Sequence, residues 1–122
     1  MPILDFQSLT LPVLSEFADG REHTAKEIRQ RVAVRLGLTQ EELAELLPSR
    51  SETRFANRIA WARAYLRQAA LLSPVRRGVY RITTRGQELL KTQPGKITVR
   101  VLSQYPEFTE FQARKSRSAN TE

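Results

Sequence analysis

Cysteine is absent from this chain of 122 residues, and histidine occurs once, at position 23. The missing cysteines exclude a disulfide scaffold and a zinc site with cysteine ligands, and they are compatible with a reducing compartment. One histidine and no cysteine leave no Ser-His-Asp or Cys-His set for nucleophilic catalysis. His23 lies in a short extended segment, and we interpret it as a structural residue.

Long apolar runs are missing as well. No stretch approaches the roughly 18 apolar residues of a membrane span, and the N-terminus lacks the basic start and apolar core of a secretion signal. The chain also lacks a glycine-rich phosphate loop and the Glu-x-Lys motif typical of metal-dependent nucleases. We therefore expect a cytoplasmic protein without cofactor, metal, catalytic residues or membrane contact.

Arginine is abundant, but in one part of the chain. The net charge is +7, yet residues 1–49 are net acidic, whereas residues 50–86 contain nine arginines, no lysine and one acidic residue. Arginine presents a flat fork of donors that holds a phosphate, or the O6/N7 edge of guanine, with two hydrogen bonds. The segment therefore predicts duplex DNA as the partner, and a solvated basic face in a GC-rich genome is the alternative.

Apolar spacing and end signals divide the chain into helices and one hairpin. The predicted helices cover about residues 4–18, 25–36, 39–47, 52–70 and 84–91. Pro12 is awkward inside the first of them, so that helix either bends there or starts near Leu9. The predicted strands, 71–75 and 79–82, flank a tight turn in which Gly78 supplies a positive φ.

Three helix starts are predicted from their capping residues. Capping boxes, in which a Thr and a Glu three residues later each bind the other's backbone N–H, are predicted for Thr24 with Glu27 and for Thr39 with Glu42. Ser51 is the predicted cap of the long fourth helix.

This order of elements predicts a mainly α fold with a small β-hairpin, a winged helix-turn-helix with a small insertion before its long helix. Residues 1–92 form this domain. Residues 93–112 are a C-terminal helical appendage that either packs on the domain or mediates self-association, and residues 113–122 are a disordered tail or the start of a linker. Such a domain places one helix in the DNA major groove, and its hairpin, the wing, touches the backbone or minor groove beside it.

The long helix carries arginines on both sides of its apolar stripe, and the two sides cannot lie in one groove. We favour the side of Arg54 and Arg58, because with Asn57 they occupy the first two turns and suit guanine and adenine edges. Arg63 and Arg67, on the other side, are expected to meet the DNA backbone or to be solvated. The predicted DNA-binding residues are Arg50, Ser51, Thr53, Arg54, Asn57, Arg58, Trp61, Arg76 and Arg77.

These residues have different predicted roles, some with an alternative. The backbone N–H groups at the helix start, with Ser51 and Thr53, are expected to hold a phosphate, as are the two arginines at the hairpin tip. Trp61 either stacks on DNA or packs against the first helix or the wing. Asn57 either contacts a base or bonds within the helix surface, and Tyr65 is expected at the edge of the core.

Several strings of the sequence are similar to one known family. They are Leu11-Pro12-Val13-Leu14, Ala18-Asp19-Gly20, Leu38-Thr39-Gln40-Glu41-Glu42-Leu43-Ala44-Glu45-Leu46-Leu47-Pro48-Ser49, Thr53-Arg54-Phe55-Ala56-Asn57-Arg58, Trp61-Ala62-Arg63, Arg77-Gly78-Val79-Tyr80-Arg81-Ile82-Thr83 and Tyr105-Pro106-Glu107-Phe108. Together they resemble the N-terminal domain of Mrr-type restriction proteins over about residues 3–112. The resemblance implies a winged-helix module that recognises duplex DNA, with methylated adenine or cytosine, for a type IV restriction endonuclease.

In that family a nuclease domain follows this module, so the resemblance implies a C-terminal nuclease domain as partner and no catalysis by the present residues. Two other functions stay open. One is a stand-alone transcriptional regulator, a homodimer formed through residues 97–111. The other is a protein-interaction module that uses the same surface.

Overall fold

The computed structural model describes residues 6–44, 53–92 and 94–120. In chain order the elements are α1 (Phe6–Glu16), β1 (His23–Thr24), α2 (Ala25–Leu36), α3 (Gln40–Ala44), α4 (Arg54–Gln68), β2 (Leu72–Arg76), β3 (Val79–Ile82), α5 (Thr84–Lys91), α6 (Val99–Leu102) and α7 (Pro106–Asn120). The three strands form an antiparallel sheet in the order β1-β3-β2. The predicted fold, a mainly α winged helix with a small hairpin, is confirmed. None of the helices in these ranges is long and apolar enough to cross a membrane.

The core lies between α1 and α4. Each helix presents an apolar side chain every three or four residues, so each has one apolar stripe, and the two stripes face each other. The stripe residues, all buried, are Leu9, Val13, Phe55, Ile59, Ala62 and Leu66, and the buried Phe17 follows directly after α1. Because burying a large apolar side chain contributes about 1.5–3 kcal/mol, this pair of helices dominates the stability of the fold.

Helix α1 runs through Pro12 without interruption, from Phe6 to Glu16. The alternative start near Leu9 is therefore wrong. Proline has no N–H, so one hydrogen bond of the helix is missing at this point. Two residues earlier, the buried hydroxyl of Thr10 donates to the carbonyl oxygen of Ile97, which ties α1 to the segment before α6.

The start of α4 differs from the prediction by two residues. Its cap is Thr53, whose Oγ1 accepts a hydrogen bond from the N–H of Ala56 at 3.2 Å. The prediction of a helix from Glu52 capped by Ser51 is therefore wrong, and Ser51 itself lies outside the described residues. Both residues are good caps, and the sequence between them offers no signal that favours the later one.

One of the two predicted capping boxes is complete. Oγ1 of Thr39 accepts a hydrogen bond from the N–H of Glu42 at 3.1 Å, and Oε1 of Glu42 accepts one from the N–H of Thr39 at 2.9 Å. At the start of α2, Thr24 accepts from the N–H of Glu27 at 3.0 Å. The Glu27 carboxylate, however, lies 2.8 Å from Arg31, which removes it from the second half of the predicted box.

The single histidine has the structural role predicted for it. His23 is buried at the base of the sheet, with Nε2 2.9 Å from an Asp19 carboxylate oxygen and Nδ1 3.3 Å from Glu27. Its ring meets the ring of Phe17 edge to face, with 5.6 Å between the centroids. The backbone N–H of Arg21, and then His23, lower the pKa of Asp19 and keep it charged beside the imidazole.

The hairpin forms as predicted, with β2 shifted by one residue. Gly78 has φ of +76° in the turn, a conformation that costs glycine little. A β-bulge separates Pro74 from Arg76 in β2. The carbonyl oxygen of Gly78 accepts a hydrogen bond from the N–H of Ala25 at 2.9 Å, so the tip of the wing lies against the start of α2.

The appendage packs on the domain. Ile97, Leu102 and Phe108 are fully buried, and the rings of Phe108 and Phe111 lie 5.5 and 5.6 Å from that of Tyr65 in α4. Helix α7 continues to Asn120, whereas the sequence predicts that residues 113–122 are a disordered tail or the start of a linker. No proline or glycine interrupts the chain after Pro106, so the polar composition of this segment does not end the helix.

Arg85 fastens the appendage to the domain. Its Nη1 donates to the carbonyl oxygen of Ala69 at 2.9 Å and to the carboxylate of Glu107 at 2.8 Å. Its guanidinium lies 4.8 Å from the centre of the Tyr105 ring. The hydrogen bond from Arg85 lowers the pKa of Glu107 and raises the pKa of Arg85.

Glu107→Gln is therefore expected to lower the melting temperature modestly at neutral pH. A carboxyl group whose pKa is lowered by folding stabilises the protein above its unfolded pKa of about 4.3, and this stabilisation is lost as the pH falls through the folded pKa. The difference in melting temperature between the variant and the wild type should shrink below about pH 4. Glu110→Gln, an exposed position on the same helix, is the control; a difference for Glu107→Gln that does not change with pH would contradict the role of the ion pair.

Candidate nucleic-acid interface

The side of α4 opposite its apolar stripe faces outward. Asn57, Ala60, Trp61 and Ala64 line a shallow, open depression of about 270 Å³ along this side. Of its two alanines, which are one turn apart, Ala60 is half-buried and Ala64 is exposed. An outward helix face of this kind can approach the edges of bases in a major groove.

Arg54 and Arg58, on the flank favoured from the sequence, are both half-buried. Nη1 of Arg58 donates to Oδ1 of Asn57. The second of the two roles predicted for Asn57, a bond within the helix surface, is thus present in the structure. Arg58 and Asn57 form a paired group, so a base edge would have to compete with this bond.

The C-terminal half of the same flank is covered by the appendage. Tyr65 is 9 % exposed, at the edge of the core as expected, beneath the rings of Phe108 and Phe111. The Trp61 ring packs on Tyr65 with 5.7 Å between the centroids, and 42 % of the Trp61 surface stays exposed. The available part of this flank is therefore its first two turns and the outer surface of Trp61.

The opposite flank of α4 adjoins the wing. The guanidinium carbon of Arg63 lies 5.3 Å from the centre of the Tyr80 ring in β3, and Arg67, one turn further along, is exposed. From the sequence, these two arginines are expected to meet the DNA backbone or to be solvated. The structure places them, not Arg54 and Arg58, next to the hairpin.

The two arginines of the hairpin tip differ in their surroundings. Arg76 is 66 % exposed and its Nη1 lies 2.9 Å from Glu22, at the approach to β1. Arg77 is exposed, and within the described part of the chain no hydrogen bond or ion pair engages its side chain. Arg77 is therefore the less constrained of the two charges.

The start of α4 is only partly described. Arg50 and Ser51, two of the predicted DNA-binding residues, lie outside the described residues. The hydroxyl oxygen of Thr53, a third, already accepts the N–H of Ala56. Among the residues that the structure does describe, no group of three or more His, Cys, Asp or Glu side chains could hold a metal ion.

Comparison with known proteins identifies a family. No curated protein and no solved structure matches the chain. The family model of the Mrr N-terminal domain matches residues 6–92, which extend from α1 to the end of α5 and contain the sheet and all of α4. The chain therefore belongs to the Mrr N-terminal domain family, the non-catalytic N-terminal module of restriction-system proteins.

Proposed function

We propose that this chain binds duplex DNA through the outward side of α4 and the wing, as the recognition module of an Mrr-like restriction system. The observation that carries the proposal is the contact of Arg63 with Tyr80. It brings the arginine-bearing helix into contact with the arginine-bearing hairpin, which supports a DNA-binding surface shared by the two. A helix beside a wing on such a surface is the arrangement with which winged helices hold DNA.

Contacts on this surface would divide into two kinds. Arg54, Asn57 and Arg58, at the first two turns of α4, suit the reading of base edges, since Arg pairs with guanine and Asn with adenine. Arg76 and Arg77, at the tip of the wing, suit contact with backbone phosphates, which fix position without reading sequence. Trp61, beside Asn57, offers an aromatic surface to a sugar or base.

We extend the proposal from family membership to modified DNA. The domain would recognise duplexes that contain methylated adenine or cytosine and deliver them to a nuclease domain of a type IV system. Binding of duplexes that are identical except for methylation tests this extension. Equal affinity for all of them would reject it and leave duplex binding in place.

The regulator stays an alternative, in which the chain forms a dimer through residues 97–111. Ile97, Leu102 and Phe108 are buried in the chain's own core, so such a dimer would have to use partly buried apolar residues of the appendage, among them Val101 and Phe111. A stable dimer on a palindromic duplex, observed by light scattering and footprinting, would support a transcriptional regulator.

Arg54→Ala with Arg58→Ala is expected to weaken duplex binding and to relax the preference among sequences. Loss of a two-bond contact with a base costs about 1–3 kcal/mol, or about 5- to 150-fold in affinity for each arginine that makes one. Fluorescence anisotropy with a set of labelled duplexes measures both effects.

Arg31→Ala with Arg35→Ala is the charge-matched control. These arginines pair with Glu27 and Glu16, and the groove that they line is formed by residues of α1 and α2. The Arg31–Glu27 pair is exposed and contributes little to stability, whereas Glu16 is 14 % exposed, so circular dichroism must verify that this variant is folded. The folded variant should bind more tightly than the Arg54/Arg58 variant. Unchanged affinity of the Arg54/Arg58 variant for every duplex would reject this flank as the reading surface. No duplex binding by the wild type would favour a protein-interaction module.

A further inference from the structure

A small pocket lies where α4 meets the wing. It has a volume of about 90 Å³ and is lined by Ala60, Arg63, Ala64, Arg67, Gln68 and Tyr80. It offers room for one small tetrahedral anion.

The charge of the pocket has one sign. Arg63 and Arg67 are four residues apart, so their side chains are neighbours on the helix surface. Among the described residues that line the pocket none is acidic. Like charges at this spacing destabilise a helix, and an anion bound between them removes the repulsion.

One donor of the pocket, Arg63, is restrained by a neighbour. Its guanidinium carbon lies over the Tyr80 ring, 5.3 Å from the ring centre, and this cation–π contact restrains Arg63 before any ligand arrives. Gln68 and Tyr80 add a neutral amide and a hydroxyl group, which can also donate to phosphate oxygens. Ala60 and Ala64 form the remaining wall and leave the space open.

We propose that this pocket binds one phosphate group. Its two guanidinium forks match the oxygens of a phosphate, with which arginine forms paired hydrogen bonds. In the function proposed above, on which this step rests, the group is a backbone phosphate of the duplex at the junction of helix and wing. The same chemistry would accept free inorganic phosphate, so the test separates these two sources.

The test uses the whole chain and two single substitutions in the pocket. Arg67→Ala removes one exposed guanidinium and leaves the core intact. Arg63→Lys keeps the charge but loses the planar fork of donors. Arg100→Ala, an exposed arginine in α6, is the charge-matched control for Arg67→Ala. Circular dichroism verifies that each variant is folded.

The first measurement is the salt dependence of duplex binding. Each phosphate contact contributes about 0.9 to the slope of log K against log salt concentration. Arg67→Ala should lower the slope by about one contact and the affinity about tenfold, equally for all sequences. Arg63→Lys should lower the affinity with little change in slope, and Arg100→Ala should change neither quantity.

The second measurement is a titration of the wild type and Arg67→Ala with inorganic phosphate, followed by the NMR signals of the arginine Nε–H groups. Saturable shifts at Arg63 and Arg67 of the wild type, with loss of the Arg63 shift in Arg67→Ala, support the pocket. If these shifts occur but the wild type binds no duplex, the pocket holds free phosphate and the proposed function fails. If duplex binds but Arg67→Ala leaves its slope unchanged, and phosphate shifts neither signal, the pocket is overturned and the proposed function stands. Absence of both kinds of binding overturns both.

Discussion

Arg77→Ala is expected to weaken duplex binding about tenfold or more, because this guanidinium at the tip of the wing is exposed and no hydrogen bond or ion pair engages it within the described residues. Hydrogen bonds to charged groups contribute about 1.5–3 kcal/mol, which corresponds to about 10- to 150-fold in affinity. Phosphates carry no sequence information, so the loss should be equal for all duplexes. Anisotropy titrations at fixed salt concentration measure it.

Arg76, the neighbour of Arg77 in the chain, provides the comparison for this variant. The ion pair with Glu22 partly neutralises the charge of Arg76, so Arg76→Ala should cost less duplex affinity than Arg77→Ala. Glu22→Gln should strengthen binding, because it frees Arg76 and removes a negative charge beside the wing. Wild-type affinity of Arg77→Ala, or a loss that depends strongly on sequence, would contradict the assignment of the wing to the DNA backbone.

Gly86→Ala is expected to have the largest effect on stability. A Cβ at this position of α5 would lie 2.5 Å from the carbonyl oxygen of Leu71 and 2.6 Å from Cγ1 of Ile82. That carbonyl accepts the N–H and the hydroxyl group of Thr83, so it is held between the end of α4 and the start of α5. Overpacking of this kind costs about 3 kcal/mol or more where the backbone must move, or about 10 °C or more in melting temperature.

Gly95→Ala is the matched control. No atom lies within 4 Å of a Cβ built at Gly95, and its φ is not positive. The substitution should therefore be neutral or slightly stabilising, since alanine restricts the unfolded chain. Thermal unfolding followed by circular dichroism compares the two variants. A melting temperature of Gly86→Ala near that of Gly95→Ala would show that the close approach of α5 to Leu71 is not needed.

Features with a local cause could be predicted from the sequence. The apolar stripe of α4 depends on spacing within one helix, and the hairpin depends on two short apolar strands and Gly78 in the turn. The capping box at Thr39 depends on residues three positions apart. Because these local features determine the order of helices and strands, the fold class could be predicted without knowledge of the packing.

Features that depend on tertiary packing could not be predicted. The angular positions of side chains around the α4 axis identify two arginine flanks. They do not show which other element of the fold covers each flank. Tyr65 is covered by Phe108 and Phe111 from the appendage, and Arg63 meets Tyr80 from the wing. These contacts join segments far apart in sequence, so the flank favoured from the helix alone was not the one beside the wing.

The role of Arg85 also depends on tertiary packing and could not be predicted. Within a segment rich in arginine it looks like one more DNA-binding charge. Its contacts with Ala69, Tyr105 and Glu107 assign it to the attachment of the appendage. Arginine count alone therefore overstates the charge available to a ligand.

The most direct test of the central proposal is binding of the wild-type chain to duplex DNA, methylated and unmethylated, as a function of salt concentration. The account predicts binding at about 50 mM salt that weakens linearly in log K against log salt, with about 0.9 in slope for each phosphate contacted. The wing and the pocket between α4 and β3 predict at least two such contacts. No binding to any duplex at that salt concentration, or binding that does not respond to salt, would contradict the account.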